Sequence, residues 1–273
     1  MDDNLRIEVP TQISAVQKHL ILKYLSAGRR SLTLSEWKQV LSGFDLLHQA
    51  RVSLDETVQT FKQIYTIHVE EPFADLYINE LLRLHDLNHE QHALRAGYAR
   101  RVVERLHQAK LRQAGVRESN LLLAYCLYFW ESFALGYAFE VEIYRDLTNS
   151  SIDFQAHDIR DQASRFSAYD LQVLNLKGDI KTSLYFLYTA RSRGLAHDFY
   201  ITRFYEGSQQ RTLVVLLQPL AWEQINGDTI KTTLEAATQQ FPAPVMVQIE
   251  DSPIVIMEYN VWKQRVVQRQ HDR

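Results

Sequence analysis

The chain has 273 residues, of which 46% are hydrophobic and 23% charged, a balance typical of folded globular proteins and unlike that of long disordered segments. Its formal net charge of −3 neither requires nor excludes a nucleic-acid partner, because such a partner needs only a local basic cluster. The single cysteine, Cys126, excludes an internal disulfide and a cysteine-based zinc site, which favours a reducing, cytoplasmic location.

No secretory signal is expected, because the opening residues lack a basic segment followed by an apolar one. The most apolar stretch, Leu121–Phe139, is interrupted by Glu131 and Ser132. It therefore falls short of the roughly 20 apolar residues that a membrane span needs. We expect a core helix there and no membrane partner.

Helical periodicity dominates the first hundred or so residues. The first predicted helix ends at Gly28, and the second begins at a cap at Thr33 or Ser35 and ends at Gly43, since glycine commonly ends helices. A third helix is predicted from a capping box formed by Ser53 and the glutamate three residues later.

The stretch Phe73–Arg112 contains no proline and predicts one long helix or two abutting ones. The composition changes near Gln113–Asn120, so we predict a domain boundary there. Residues 1–115 would form an all-helical recognition or partner-binding region, and residues 116–273 a second domain.

The second domain begins with an aromatic-rich helix that ends near Leu147. Pairs of β-prone segments then alternate with helical patterns: "YDLQVL" and "KGDIKTS", a helix to Gly194, "DFYITRFYEG" and "RTLVVLLQP", a helix at Asp228–Gln240, and "PVMVQIE" and "PIVIMEY". This order predicts an α/β (α+β) fold with a mixed sheet flanked by helices.

Charged residues stand within the first strand pair. Side chains alternate along a strand, so Asp179 and Lys181 should share a face. A short turn around Asn175–Leu176 would place Asp170 across from Asp179. Two carboxylates this close would repel unless a cation lay between them. Mg²⁺ suits such an all-oxygen site, with Mn²⁺ as a substitute.

This arrangement resembles the PD-(D/E)xK superfamily of nucleases, which has the restriction-endonuclease-like fold. Asp170 matches the first acid of the motif, and Asp179-Ile180-Lys181 matches the D/E-x-K triplet. A helix before the strands often supplies another acid, for which Glu140 is our choice, because "GYAFEVEIYRDL" looks like the opening helix of resolvase-like members. The resemblance covers roughly residues 120–220.

The resemblance implies metal-dependent hydrolysis of nucleic acid, usually DNA, in restriction, phage defence or mobile-element processing. Asp170, Asp179 and Glu140 would be the metal ligands, and Lys181 would stabilise charge on the phosphate. The alternative is an inactive nuclease-fold module that binds DNA or a protein within a larger complex. A protein partner or a homodimer is compatible with either reading.

The chain departs from the family pattern, since Tyr169 replaces the proline before the first acid. An upstream acid could replace Asp170 if the register differs, and Glu140 has competitors on its own helix. The alternatives are Asp153, Asp158 and Asp161 for Asp170, and Glu131 and Glu142 for Glu140. A solvated surface pair of Asp179 and Lys181 is the non-functional interpretation.

Basic residues that could contact phosphates fall in two segments. They are Arg100, Arg101 and Arg105 in the first, and Arg191 and Arg193 in the second. A solvated helix face is an equal alternative for the first segment. His85, His89 and His92 lie on one side of a helix, where a polar packing face is a better interpretation than a metal site.

Overall fold

Contacts between Cα atoms divide the chain into two compact units, Met1–Ala134 (unit 1) and Leu135–Arg273 (unit 2). The division falls within one helix, whereas the predicted domain boundary lies just before that helix. The computed structural model describes residues 5–113, 116–161, 167, 169–182, 197–206, 209–217, 236–237, 239–249 and 252–272.

Unit 1 is built mainly from helices, as the sequence predicts. Its described elements are α1 (Ala15–Ala27), α2 (Leu34–Leu47), α3 (Phe61–Tyr65), α4 (Glu71–Arg83), α5 (Leu87–Gln108), the first half of α6 (Ser119–Asn149), and the strands β1 (Arg6–Glu8), β2 (Arg51–Leu54) and β3 (Thr57–Thr60). The strands form a small antiparallel sheet in the order β1-β2-β3. The region is therefore helical as predicted, with a small three-stranded sheet that the sequence analysis did not identify.

The predicted helix start at Ser53 is also wrong. Asp55 and Glu56 have positive φ angles of 45° and 69°, as in the two-residue turns that connect hairpin strands. The capping box lies further along, where Thr60 and Gln63 bond reciprocally at the start of α3.

The predicted end of α2 at Gly43 is wrong, because the helix continues to Leu47. A Cβ atom at position 43 would come within 2.9 Å of Ile21 Cδ1 on α1. Gly43 therefore allows two helices to pack closely and does not cap one. Gly28 does end α1, and Thr33 caps α2.

The first half of α6 belongs to the aromatic core of unit 1. Trp130 is buried, and its ring centroid lies 5.5 Å from those of Tyr77 and Tyr98. By length and composition alone, α6 is the one helix in the described part of the chain that could cross a membrane, and 50% of its most apolar window is buried inside the protein. Core helices of soluble proteins meet the same criterion, so this is weak evidence for a span.

Unit 2 contains a seven-stranded sheet in the order β4-β5-β6-β7-β8-β10-β9. Among the described strands, only β6 and β7 pair in parallel, so the sheet is mixed, as predicted. Its strands are β4 (Gln155–Ala156), β5 (Leu171–Val173), β6 (Leu176–Lys181), β7 (Phe199–Glu206), β8 (Gln209–Leu217), β9 (Val245–Ile249) and β10 (Ser252–Glu258). The predicted helix that ends at Gly194 lies outside the described residues, as does most of the one at Asp228–Gln240.

The chain continues after β10 into helix α7 (Tyr259–His271), which the sequence analysis did not identify. Trp262 of α7 is buried against the sheet, with its ring centroid 5.5 Å from that of Phe199. Phe139 and Ile143 from the second half of α6 belong to the same core. Burial of each such side chain contributes about 1.5–3 kcal/mol, which fixes α6 and α7 against the sheet.

Candidate metal centre

A tight hairpin between β5 and β6 aligns two acidic residues. Leu174 and Asn175 form its two-residue turn with positive φ angles of 52° and 68°, so the turn lies one residue earlier than the predicted Asn175–Leu176. The N–H of Asp170 donates to the carbonyl of Gly178 at 3.0 Å. This register places Asp170 opposite Asp179.

A single main-chain amide holds both carboxylates. The N–H of Ile180 donates to Asp170 Oδ2 at 2.7 Å and to Asp179 Oδ1 at 3.1 Å. The Ile180 side chain points the other way and is buried in the core of unit 2. The alternation of the strand thus places the apolar Ile180 side chain on one face and the charged side chains of Asp179 and Lys181 on the other.

Lys181 lies on the same face of β6 as Asp179. Its Nζ atom is 2.7 Å from both carboxylate oxygens of Asp179. The Asp179 side chain is only 8% exposed and that of Lys181 35%, so this is a partly buried ion pair and not a fully solvated surface pair.

The side chain of Glu140, on α6, lies in the same cluster as Asp170, Asp179 and Lys181. Its Oε2 atom is buried and has no hydrogen-bond partner among the described residues. The nearest imidazole nitrogen, His157 Nε2, is 3.6 Å away, longer than a hydrogen bond. Burial of a carboxyl oxygen without a partner costs folding free energy. This indicates that Glu140 Oε2 has a ligand as its partner in the functional protein.

His157 was not identified from the sequence. It follows the short strand β4, whose pairing with β5 brings His157 beside Asp170. Its Nδ1 lies 3.2 Å from the main-chain carbonyl of Asp170, which also accepts a bond from the Tyr144 hydroxyl at 2.9 Å. One ligand atom each from Glu140, His157 and Asp170 lie within 4.8 Å of one another.

Burial and mutual repulsion keep protons on two of the acids. Burial, with a further contribution from the charge of Asp179, raises the pKa of Glu140 to about 8. Burial, together with a hydrogen bond to Asp179 and the charges of Asp179 and Glu140, raises the pKa of Asp170 to about 9. Without a cation, these two groups remain largely neutral at pH 7.

Asp179 and Lys181 form the charged part of the cluster. Burial alone would raise the pKa of Asp179, but the hydrogen bond with Asp170 and the Lys181 ammonium outweigh it and lower that pKa. Burial alone would lower the pKa of Lys181, but the charges of Asp179, Asp170 and Glu140 raise it. Lys181 is therefore an ammonium at neutral pH.

A second imidazole, that of His197, borders the cluster at Asp179. His197 Nε2 lies 3.8 Å from Asp179 Oδ2, and its ring contacts that of Tyr200. Burial lowers the pKa of both His197 and His157. Both rings are consequently neutral near pH 7.

The alternative acids lie elsewhere. Glu131 accepts a hydrogen bond from the hydroxyl of Tyr24, and Glu142 pairs with Arg203. The three upstream aspartates are exposed, namely Asp153, Asp158 and Asp161.

The structure describes three of the five predicted phosphate-contacting arginines. Arg100, Arg101 and Arg105 are exposed on α5, and the guanidinium of Arg101 lies 4.4 Å from the centroid of the Tyr98 ring. Arg191 and Arg193 lie outside the described residues.

The three histidines on α5 and just before it do not form a centre among the described residues. His89 Nδ1 pairs with Asp86 at 2.6 Å, and His92 Nδ1 lies 2.6 Å from Arg95. His85 is not part of a cluster of metal-binding groups in the described part of the chain.

The cluster of unit 2 suits a divalent cation. If ionised, its three carboxylates would exceed the single ammonium by two charges, and the unpaired Glu140 Oε2 would gain a partner. Comparisons with family models, with curated proteins and with solved structures find no match to this chain.

Proposed function

We propose that this protein is a metal-dependent nuclease that hydrolyses phosphodiester bonds of nucleic acid, with DNA as the favoured substrate. One observation carries the proposal. Glu140, Asp170, Asp179 and Lys181 converge in a largely buried cluster in which Glu140 Oε2 has no hydrogen-bond partner among the described residues.

Glu140, Asp170 and Asp179 would hold the cation, and their oxygen atoms suit Mg²⁺ or Mn²⁺. Such an ion, when bound, polarises a phosphate and lowers the pKa of a coordinated water. The Ile180 amide bonds to both aspartates and so keeps their carboxylates oriented.

Lys181 would act as an electrostatic catalyst. Its pKa is raised by three surrounding carboxylates, so it cannot readily serve as a general base at neutral pH. A fixed ammonium in a partly buried site stabilises the negative charge that develops on a phosphate during hydrolysis. The ion pair with Asp179 holds the ammonium in place before the substrate arrives.

Nucleic-acid contacts are proposed for the exposed Arg100, Arg101 and Arg105 of α5, because contacts to the phosphate backbone are mainly electrostatic. The same proposal extends to Arg191 and Arg193. Unit 1 would thus recognise the substrate, a protein partner, or a second copy of the chain. A cytoplasmic location without a membrane partner accords with this proposal.

An inactive nuclease-fold module is the second candidate, and the Asp179–Lys181 ion pair by itself would suit it. Glu140 favours the active enzyme, because a module without a cation gains nothing from a buried carboxyl group whose Oε2 lacks a partner.

The test is a cleavage assay on supercoiled plasmid, single-stranded DNA and RNA, with Mg²⁺, Mn²⁺ or EDTA. We expect metal-dependent cleavage that Lys181→Met abolishes, because methionine keeps the chain length and removes the charge. Lys177→Met is the matched control, since Lys177 lies on the same strand but is exposed, with its Nζ atom 5.1 Å from the centroid of the Tyr169 ring.

The control variant should cleave as the wild type does. Salt-sensitive binding of DNA without cleavage under any of these conditions would contradict the nuclease and favour the inactive module.

A further inference from the structure

The hydrogen bonds of His157 determine which of its ring nitrogens carries the proton. Its Nδ1 faces the main-chain carbonyl of Asp170 at 3.2 Å. A carbonyl oxygen can only accept, so Nδ1 must be the protonated nitrogen. Nε2 of the neutral ring then carries a lone pair.

That lone pair points toward another electron-rich atom. His157 Nε2 is 3.6 Å from Glu140 Oε2, and the His157 side chain is only 7% exposed. Two acceptors that face each other need a proton or a cation between them. In the cation-free protein the proton on Glu140 can fill this role, and a metal ion would replace it, since two donors at about 2.0–2.2 Å from one ion are themselves roughly 3–4 Å apart.

The main-chain bond to Nδ1 has a second consequence. Metal-binding histidines usually donate their other ring N–H to a carbonyl or carboxylate, which fixes the ring and raises the basicity of the ligating nitrogen. Here the carbonyl belongs to Asp170, whose own carboxylate lies in the same cluster. One residue therefore offers an oxygen ligand and orients the nitrogen ligand.

We infer that His157 is a metal ligand together with Glu140 and Asp170, and that the centre therefore prefers Mn²⁺ to Mg²⁺. Mg²⁺ is bound almost entirely by oxygen and keeps several waters, whereas an imidazole nitrogen favours transition metals and carboxylates suit Mn²⁺. The catalytic role of this metal site rests on the proposed function, but metal binding at the site can be measured without a nucleic-acid substrate.

His197 provides the internal comparison. It is a partly buried imidazole at the edge of the cluster, 3.8 Å from Asp179 Oδ2. The Lys181 ammonium already occupies that side, at 2.7 Å from the same carboxylate. Among the described residues, His197 is not part of the group of ligand atoms that lie within 4.8 Å of one another, so His197 should not ligate the cation.

The test combines titration calorimetry with pulsed electron paramagnetic resonance of bound Mn²⁺, on the wild type, His157→Gln and His197→Gln. The wild type should bind Mn²⁺ more tightly than Mg²⁺ and show nitrogen coupling to the Mn²⁺ electrons. His157→Gln should abolish the coupling and weaken Mn²⁺ binding by about tenfold or more, whereas His197→Gln should retain both.

Circular dichroism melting of each variant verifies folding, and the nitrogen coupling of the wild type tests the inference even if His157→Gln does not fold. Bound Mn²⁺ without nitrogen coupling, coupling that survives His157→Gln, or equal affinity for Mn²⁺ and Mg²⁺ would overturn the inference. Nitrogen coupling in a protein that cleaves no nucleic acid would support the inference and overturn only the proposed function. Absence of Mn²⁺ binding would overturn both.

Discussion

Asp170 and Asp179 lie opposite each other in the β5–β6 hairpin, and the N–H of Ile180 donates to a carboxylate oxygen of each. The pair is further coupled by a direct hydrogen bond that raises the pKa of Asp170 and lowers that of Asp179. Without a cation, the pair is held together by a proton on Asp170. A divalent cation would compete with that proton for the same oxygens.

The stability of the cation-free protein should therefore fall as pH rises. Glu140 and Asp170 have pKa values of about 8 and about 9, above the ordinary carboxyl values of about 4. The native state then binds more protons than the unfolded state between pH ~4 and ~9, so the free energy of unfolding falls across this window. Urea unfolding at pH 6 and pH 8.5 in EDTA measures it.

The double variant Glu140→Gln/Asp170→Asn is the control for that measurement, because its neutral amides cannot ionise. It should lose less stability than the wild type between the two pH values. Identical losses would show that these two carboxyl groups do not carry the effect.

Asp170→Asn should separate folding from cation binding. The amide resembles the protonated acid that the cation-free protein already contains, so its unfolding temperature in EDTA should stay close to that of the wild type. A ligand at 100 times its Kd stabilises by about 2.7 kcal/mol, and the variant should lose this stabilisation by Mn²⁺. Thermal unfolding with and without Mn²⁺ measures both quantities.

Asp153→Asn is the matched control, since Asp153 is exposed and lies outside the cluster. It should retain the full stabilisation by Mn²⁺. If Asp170→Asn were stabilised by Mn²⁺ as strongly as this control, Asp170 would not be a ligand.

Gly178→Ala should displace the strand that carries Asp179 and Lys181. A Cβ atom at position 178 would overlap the buried ring of Phe199, and such overpacking costs about 1–3 kcal/mol. Urea unfolding should show this loss. Gly97→Ala on α5 meets no atom within 4 Å and should instead stabilise by about 0.5–1 kcal/mol.

Equal effects of the two alanine substitutions would mean that β6 and β7 are not packed as described. A second readout follows from the position of Gly178 next to Asp179. Mn²⁺ binding should weaken in Gly178→Ala and stay unchanged in Gly97→Ala.

Removal of Arg100 and Arg105 should weaken DNA binding uniformly across sequences. Each lost phosphate contact lowers the magnitude of the slope of log K against log[salt] by about 0.9. The slope of the double alanine variant should therefore be smaller in magnitude by about 1.8. Fluorescence anisotropy at several salt concentrations gives the slope. The control variant Arg6→Ala/Arg30→Ala removes two exposed charges of unit 1 and should leave the slope nearly unchanged. If both double variants reduced the slope equally, the attraction of DNA would be nonspecific.

Local sequence patterns predicted the parts of the site that depend on local geometry. The alternation of a strand placed Asp179 and Lys181 on one face, and the length of the hairpin brought Asp170 opposite Asp179. Glu140 was predicted from the sequence pattern of the helix that precedes the strands. Each of these inferences needs only one or two neighbouring elements.

His157 could not be predicted in this way. It lies in a polar segment without a spacing motif, thirteen residues before Asp170, and it reaches the cluster because the two-residue strand β4 pairs at the edge of the sheet. The predicted helix start at Ser53 was wrong for a related reason. The sequence "SLDE" satisfies a capping-box pattern, but the backbone at Asp55 and Glu56 forms a hairpin turn. In both cases tertiary pairing overrides local propensity.

The central claim is that Glu140, Asp170 and Asp179 hold a divalent cation beside Lys181. The most direct test is an anomalous-difference map from crystals of the wild-type protein soaked in Mn²⁺. We predict a single strong peak in this cluster, in contact with Glu140, Asp170 and Asp179. A map without such a peak, from crystals that show Mn²⁺ elsewhere or not at all, would contradict the account.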